Sequence, residues 1–291
     1  MNGMISGKTI ICGIIGDPIE HTMSPAMHNT AFKKLGLDYV YVPFRVKSLE
    51  LKKAIEGIRG FNIRGLNVTI PHKVAVMQFL DRIDPLAEKI GAVNTIINDD
   101  GILTGYNTDA TGFLQTLHDK DIEPRDNKVL LLGAGGAARA IGNILAAERA
   151  HITILNRRQE LSWAEDLAHR LGLHYRADVN AGELTPENLK RVIDGINILV
   201  NATSLGMSPD DEGTPVPADL LSASLTVFDV VYNPLQTRLL REAKAAGART
   251  ISGLEMLVWQ GAIAFEKWTG IKAPIEVMHQ SVLGLLQKNE K

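Results

Sequence analysis

The chain has 291 residues, of which 45% are hydrophobic and 22% charged, so it can bury a sizeable core and is long enough for two domains. Its formal net charge is −2 and it has no run of lysines or arginines, which argues against a nucleic-acid partner. Cys12 is its only cysteine, which excludes an intramolecular disulfide.

The sequence shows no recognisable targeting or membrane segment. Residues 1–7 lack the basic-then-apolar layout of a signal peptide, and no apolar stretch approaches the ~20 residues needed to span a bilayer. The eight histidines show no HExxH or similar ligand spacing. We therefore expect a cytoplasmic protein with no membrane partner and no metal site.

Short apolar runs alternate with amphipathic segments in the first third of the chain, which predicts a mostly parallel sheet with helices between its strands. A hairpin is expected at the edge of this sheet, with its turn at 99–101. Ser24 is the predicted cap of the first helix, and Pro25 its first residue. The predicted strands are 8–15, 39–44, 65–70, 93–97 and 102–105, and the predicted helices are 24–35, 49–58, one opening at Pro71, and 108–117.

A second series of strands and helices follows, and the tail from Gly253 predicts two helices with no strand between them. This order indicates an α/β protein of two domains with a cleft between them. The first domain is predicted to be mostly parallel α/β, and the second has the alternating strands and helices of a Rossmann-type domain. The predicted strands of this series are 129–132, 152–155, 196–200 and 227–231, and the predicted helices between them are 137–147, 162–171 and 239–246.

A glycine-rich turn follows the strand at 129–132. The residues from Gly133 to Ala138 read G-A-G-G-A-A, which is the G-x-G-x-x-A fingerprint of a dinucleotide site placed between a strand and a helix. Gly133 permits the tight turn, and Gly135 lets backbone N–H groups approach a pyrophosphate at the helix N-terminus. The alternative is a glycine-rich turn without a ligand.

The end of the next strand indicates which dinucleotide binds. It reads Asn156-Arg157-Arg158, about 20 residues after the glycines, where an NAD site usually carries an acidic residue. Arginine binds a 2′-phosphate, which a carboxylate would repel. The sequence therefore favours NADP, and the alternative is that both arginines are solvated surface charges.

Polar residues near the end of the strand at 65–70 are candidates for binding a hydroxylated ligand. Asn67 and Thr69 share one face of that strand, and ligands of open α/β sheets bind near the strand ends. Lys73 is expected in the first turn of the next helix, where the helix dipole opposes a cation, as suits a lysine that exchanges protons. Asp109 opens another helix and would orient Lys73 if the two lie close. The alternatives are an exposed sheet face, a solvent-facing lysine and an aspartate that only caps its helix.

Ten motifs in one order, spread over nearly the whole chain, give a resemblance to the shikimate dehydrogenase family. They are IGDP (15–18), HTMSPAMH (21–28), GLNVTIPHK (65–73), GAVNT (91–95), NTD (107–109), GAGGA (133–137), NR (156–157), NATSLGM (201–207), DVVYNP (229–234) and GLEMLVWQ (253–260).

The resemblance implies a role for each matching residue. Lys73 and Asp109 would be the catalytic pair, and Thr22 stands where the family usually has serine. The tail would return to the first domain, giving a substrate-binding domain of 1–108 plus 253–291 and an NADP-binding domain of 109–252. The implied substrate contacts are Thr22, Ser24, Asn67, Thr69, Asn94, Tyr232 and Gln260, and the implied cofactor contacts are Gly133, Ala134, Gly135, Gly136, Ala137, Asn156, Arg157, Arg158, Thr203, Ser204, Gly253 and Met256.

The implied reaction is reversible reduction of 3-dehydroshikimate to shikimate with NADP, in aromatic amino acid biosynthesis, as a monomer or homodimer. A hydride passes between the carbinol carbon and the nicotinamide, and the hydroxyl proton leaves through Lys73, held by Asp109. A dual-specificity quinate/shikimate dehydrogenase is the main alternative. A non-catalytic sensor of the same fold has no need for the lysine–aspartate pair, and the substrate motifs argue against a folate-linked dehydrogenase.

Overall fold

The computed structural model describes residues 5–289, so residues 1–4 of the predicted first domain and 290–291 of the predicted tail lie outside the described residues. Two compact units divide the chain. The first comprises the described residues up to Gly112 together with Val258–Asn289, and the second is Phe113–Leu257. The division thus falls four residues after the predicted boundary at 108 and five after that at 252.

The first unit contains a six-stranded mixed sheet in the order β2-β1-β3-β5-β6-β4. The pairs β1–β2, β1–β3 and β4–β6 are parallel, whereas β3–β5 and the hairpin β5–β6 are antiparallel. The strands are β1 (Ile10–Gly16), β2 (Tyr39–Arg45), β3 (Gly65–Val68), β4 (Arg82–Ile83), β5 (Thr95–Asp99) and β6 (Ile102–Tyr106).

The predicted hairpin is present, but the two-residue strand β4, which the sequence analysis missed, lies outside it at the sheet edge. Helix α3 was also missed, and the remaining helices of this unit lie where they were predicted. The division between the units falls after Gly112 and after Leu257, so it crosses helices α4 and α9. In chain order the helices are α1 (Ser24–Lys34), α2 (Leu51–Gly60), α3 (Pro85–Ile90), α4 (Thr108–His118), α9 (Gly253–Thr269) and α10 (Ile275–Asn289).

Side chains alternate between the two faces of the first sheet. One face packs against α2, where Leu66 and Val68 of β3 join Ile55 and Ile58 in one core cluster. On the other face, α1 and α9 contribute an aromatic cluster around Tyr41, whose ring lies 4.4 Å from the His28 ring and 5.9 Å from the Trp268 ring. This second face carries the polar side chains described below.

The second unit is a Rossmann fold, a parallel sheet of six strands in the order β12-β11-β10-β7-β8-β9. The strands are β7 (Lys128–Leu132), β8 (His151–Asn156), β9 (Val179–Glu183), β10 (Ile198–Asn201), β11 (Thr226–Asp229) and β12 (Arg249–Ser252), and the helices are α5 (Gly136–Ala147), α6 (Leu161–Tyr175), α7 (Pro186–Ile193) and α8 (Arg238–Ala245). Of these elements β9, α7 and β12 were not predicted. The order reverses between β7 and β10, which is where such sheets bind nucleotides.

Candidate active site

A lysine–aspartate ion pair lies in the first unit. Lys73 Nζ is 2.6 Å from Asp109 Oδ2, and the two side chains are 23% and 12% exposed. The residues are 36 positions apart in sequence, with Lys73 after β3 and Asp109 in the first turn of α4. A partly buried amine held by a carboxylate can exchange a proton with a hydroxyl placed beside it.

The helix predicted to open at Pro71 is wrong. The chain forms turns from Ile70 to Val74 and then a 3₁₀ helix over Ala75–Phe79, so a helix dipole does not act on Lys73. Backbone contacts fix the lysine instead, because Val93 N–H donates to Lys73 O over 2.8 Å and His72 N–H donates to Thr69 O over 2.9 Å.

Asp109 does not cap its helix. The side chain of Asn107 has that role, since its Oδ1 accepts from Ala110 N–H over 3.2 Å while its Nδ2 donates to Ala92 O over 3.0 Å. The carboxylate of Asp109 is therefore left to pair with Lys73.

Asn67 and Asn94 belong to one buried hydrogen-bond network. Asn67 Nδ2 donates to Thr95 Oγ1 over 3.1 Å and to Asn94 O over 3.3 Å. Asn94 Oδ1 accepts from Thr108 N–H over 2.7 Å, and Asn94 Nδ2 donates to Thr108 Oγ1 over 3.1 Å. The network therefore runs from the middle of the sheet to the first turn of α4, next to Asp109.

Ser24 and Thr22 lie at the start of α1. The predicted capping role of Ser24 is wrong, because the cap position is Met23 and it has no side-chain hydrogen bond to the helix. Ser24 is buried, and its N–H donates to Thr22 Oγ1 over 3.3 Å. The two residues are therefore linked by a hydrogen bond at the start of α1.

Thr69 and Gln260 are also in the first unit. β3 ends at Val68, two residues earlier than predicted, so Thr69 lies in the loop, where its N–H donates to Ile15 O over 3.0 Å. Gln260 is on α9, packed against α4 at Gly112. A Cβ on Gly112 would lie 2.8 Å from Gln260 N, so only glycine permits this close approach of the two helices.

The fingerprint glycines of the second unit lie between β7 and α5. Gly133 has φ of +99°, and a Cβ there would lie 3.1 Å from Ala202 O. Gly135 precedes α5, which begins at Gly136, and a Cβ on either would meet no atom within 4 Å. The helix N-terminus is therefore open, flanked by the buried Ala134 and half-buried Ala137.

Asn156, Arg157 and Arg158 follow at the end of β8. Asn156 is buried, and its Nδ2 donates to Glu160 O over 2.8 Å. Arg157 is 67% exposed and forms an ion pair with Glu160, which raises the pKa of the guanidinium. Arg158 is exposed. These side chains lie at the end of β8, the neighbour of β7 in the sheet, and this position fits a 2′-phosphate. The open start of α5 fits a pyrophosphate.

The remaining predicted residues are also in the second unit. Thr203 follows β10, and its hydroxyl donates to Asn201 Oδ1 over 2.7 Å; Ser204 beside it is exposed. Tyr232 is half-buried after β11, whereas Gly253 begins α9 and Met256 is buried in its first turns. Within residues 5–289, no group of three His, Cys, Asp or Glu side chains can hold a metal ion, and no helix is long and apolar enough to cross a membrane.

Three residues of the polar network were missed by the sequence analysis. Thr95 and Thr108 are fully buried between the two asparagines, and Tyr41 donates its hydroxyl to Asn67 Oδ1 over 2.7 Å. Thr95 belongs to the motif GAVNT and Thr108 to the motif NTD, so the sequence did indicate that both are part of the site. Tyr41 carried none, because a tyrosine in an apolar strand is typical of an ordinary core residue.

Comparison with known proteins identifies the family. Residues 14–96 match the shikimate dehydrogenase substrate binding domain, and residues 253–283 match the shikimate 5′-dehydrogenase C-terminal domain. The NADP⁺-linked shikimate dehydrogenase of Dehalococcoides mccartyi strain CBDB1 is 46% identical over 279 residues, covering 96% of this chain and 97% of the relative. The chain belongs to the shikimate dehydrogenase family.

Solved structures of the family have the same fold throughout. A shikimate dehydrogenase in complex with NADP⁺ is 44% identical, with a TM-score of 0.92, covering 97% of this chain and 98% of the other. The shikimate 5-dehydrogenase of Listeria monocytogenes, solved with shikimate and NAD, is 42% identical with a TM-score of 0.91, covering 95% and 97%. Members of this family thus bind shikimate and a nicotinamide dinucleotide on this fold.

Proposed function

We propose that the chain catalyses the reversible, NADP-dependent reduction of 3-dehydroshikimate to shikimate in aromatic amino acid biosynthesis. The ion pair between Lys73 Nζ and Asp109 Oδ2, at 2.6 Å in a member of this family, is the observation that carries the proposal. A ligand sensor of the same fold would not need such a pair, so its presence favours an enzyme.

In the direction of alcohol oxidation, the Lys73–Asp109 pair takes the proton of the substrate hydroxyl, with Asp109 orienting the lysine and either member acting as the formal base. NADP, when bound, accepts the hydride from the carbinol carbon. In the reverse direction the pair returns the proton to the carbonyl oxygen. The residues supply alignment and a proton route, which together lower the barrier.

Hydroxyl and amide side chains are proposed to bind the substrate. A polyhydroxylated acid needs many hydrogen bonds and few charges, and the buried network around Asn67 and Asn94 supplies groups of that kind. The proposed substrate contacts are Thr22, Ser24, Asn67, Thr69, Asn94, Tyr232 and Gln260. We further propose that 1–108 with 253–291 form the substrate-binding domain and that 109–252 bind NADP.

Most of the proposed NADP contacts lie at the carboxyl ends of β7, β8 and β10, and Gly253 and Met256 lie in α9, which follows β12. The start of α5 would hold the pyrophosphate and Arg157 with Arg158 the 2′-phosphate. The other contacts proposed are Gly133, Ala134, Gly135, Gly136, Ala137, Asn156, Thr203, Ser204, Gly253 and Met256.

Turnover of labelled shikimate tests the proposal. Shikimate carrying deuterium at the oxidised carbinol carbon is incubated with NADP, and the nucleotide product is analysed by mass spectrometry. Formation of NADPH that carries the deuterium supports the proposal, and the absence of any NADPH contradicts it. Parallel reactions with quinate measure whether the chain has dual specificity.

A further inference from the structure

Tyr41 hydrogen-bonds Asn67, one of the proposed substrate contacts, although it is not itself one of them. It lies on β2 and is 2% exposed. Tyr41 pairs with Cys12 of β1 and Asn67 pairs with Ile14, two residues further along β1, so the two side chains face the same side of the sheet. The Tyr41 hydroxyl is 2.7 Å from Asn67 Oδ1.

The direction of these hydrogen bonds follows from one backbone carbonyl. Asn94 O can only accept, so the Asn67 atom that faces it must be the donor Nδ2. The other amide atom, Oδ1, therefore faces Tyr41, and the phenol must donate to it.

The ring of Tyr41 is held in place by aromatic packing. It stacks on His28 with an interplanar angle of 11° and also contacts Trp268. Since the ring cannot turn within this cluster, its hydroxyl stays aimed at Asn67. Burial raises the pKa of Tyr41 well above its usual value, so the phenol keeps its proton throughout the working pH range.

We infer that Tyr41 is a positioning residue. Its hydroxyl holds the amide of Asn67 in one orientation, in which Oδ1 can accept a second hydrogen bond from a hydroxyl of the substrate. Both Nδ2 protons of Asn67 are taken by Asn94 and Thr95, so the amide offers a ligand only an acceptor. The inference rests on the proposed function, which places Asn67 against the substrate.

The substitution Tyr41→Phe removes the hydroxyl and keeps the aromatic packing. Without this donor, Asn67 Oδ1 loses the hydrogen bond that holds the amide. We expect the KM for shikimate to rise roughly tenfold, which is the typical effect of losing one buried hydrogen bond. The value of kcat should change less than about threefold. Tyr39→Phe is the matched control, because Tyr39 lies two residues earlier on the same strand and packs on Phe32. It should leave both parameters unchanged.

A double-mutant cycle separates positioning from general stability. In an Asn67→Ala background there is no amide to hold, so Tyr41→Phe should then raise KM by about threefold or less. Thermal unfolding of the same variants records any loss of stability, which would persist in that background. An unchanged KM in Tyr41→Phe, or a tenfold factor that survives in Asn67→Ala, would overturn the inference. Failure of the proposed function shows differently, as a wild-type chain that forms no NADPH.

Discussion

Acidification is expected to destabilise the first unit through His28. This side chain lies fully buried on α1 among Tyr41, Phe265 and Trp268, and neither ring nitrogen has a hydrogen-bond partner within the described residues. Burial lowers the pKa of His28 to about 3. Between about pH 3 and pH 6.5 the histidine is therefore neutral in the folded protein and charged in the unfolded chain.

The magnitude follows from the difference between the two pKa values. Below pH 6.5 the unfolded chain binds a proton that the folded chain does not, so stability is complete above pH 6.5 and is lost as pH falls toward about 3. Each pH unit below 6.5 lowers the free energy of unfolding by about 1.4 kcal/mol, so acidification to about pH 4.5 lowers it by about 3 kcal/mol.

Burial raises the pKa of Asp229 to about 6, and the effect of Asp229 on stability opposes that of His28. The contribution of Asp229 to the free energy of unfolding falls as pH rises from 3.8 to 6.

Comparison of variants isolates the histidine. His28→Phe keeps an aromatic ring and removes the titration, and the exposed His169 gives a matched control, His169→Phe. Denaturant unfolding is followed by tryptophan fluorescence, to which Trp268, 5.3 Å from His28, contributes. The wild type should lose about 3 kcal/mol more than His28→Phe between pH 6.5 and about 4.5. Equal pH dependence of the two proteins would refute the reasoning.

Two further predictions concern specificity. Arg157→Glu should erode the preference for NADP over NAD, mainly through the KM for NADP, because the variant repels the 2′-phosphate; equal use of both cofactors by the wild type would contradict this. Thr22→Ser should retain shikimate turnover and relax the exclusion of quinate, because the variant removes the methyl group of a proposed substrate contact. We expect the wild type to favour shikimate in kcat/KM by about 1–3 kcal/mol, and equal use of both acids would favour dual specificity.

Much of the fold could be predicted from local patterns. Buried strands such as β7 and β10 are continuous apolar runs, and the hairpin has a turn of Asp and Gly, so their positions were correct. The edge strands β9 and β12 of the second sheet were missed, because they are short and only partly buried, which leaves no clear hydrophobic period.

The local errors have a physical cause in tertiary contacts. Pro71 is a good first residue for a helix, yet the following residues form turns whose backbone is bonded to Thr69 and Val93. Ser24 has the chemistry of a helix cap, but it is the first residue of α1 and the cap position is Met23. At Pro71 a distant part of the chain offers partners that sequence patterns do not reveal.

The site was predicted only in part for the same reason. Lys73 and Asp109 could be chosen as candidates, but their 2.6 Å contact depends on how β3 and α4 are placed by the sheet. Tyr41 could not be chosen at all, since its role depends on the orientation of Asn67. Residue types and motifs predicted the chemistry, and the partners of each side chain needed the structure.

Steady-state kinetics of Lys73→Ala test the central claim most directly. With shikimate and NADP, kcat should fall by about two to four orders of magnitude, because the positioned proton acceptor is lost, while shikimate binding weakens much less. Lys47→Ala, at an exposed lysine of the same unit, is the matched control and should behave as the wild type. Turnover of Lys73→Ala within a few-fold of the wild type would contradict the account.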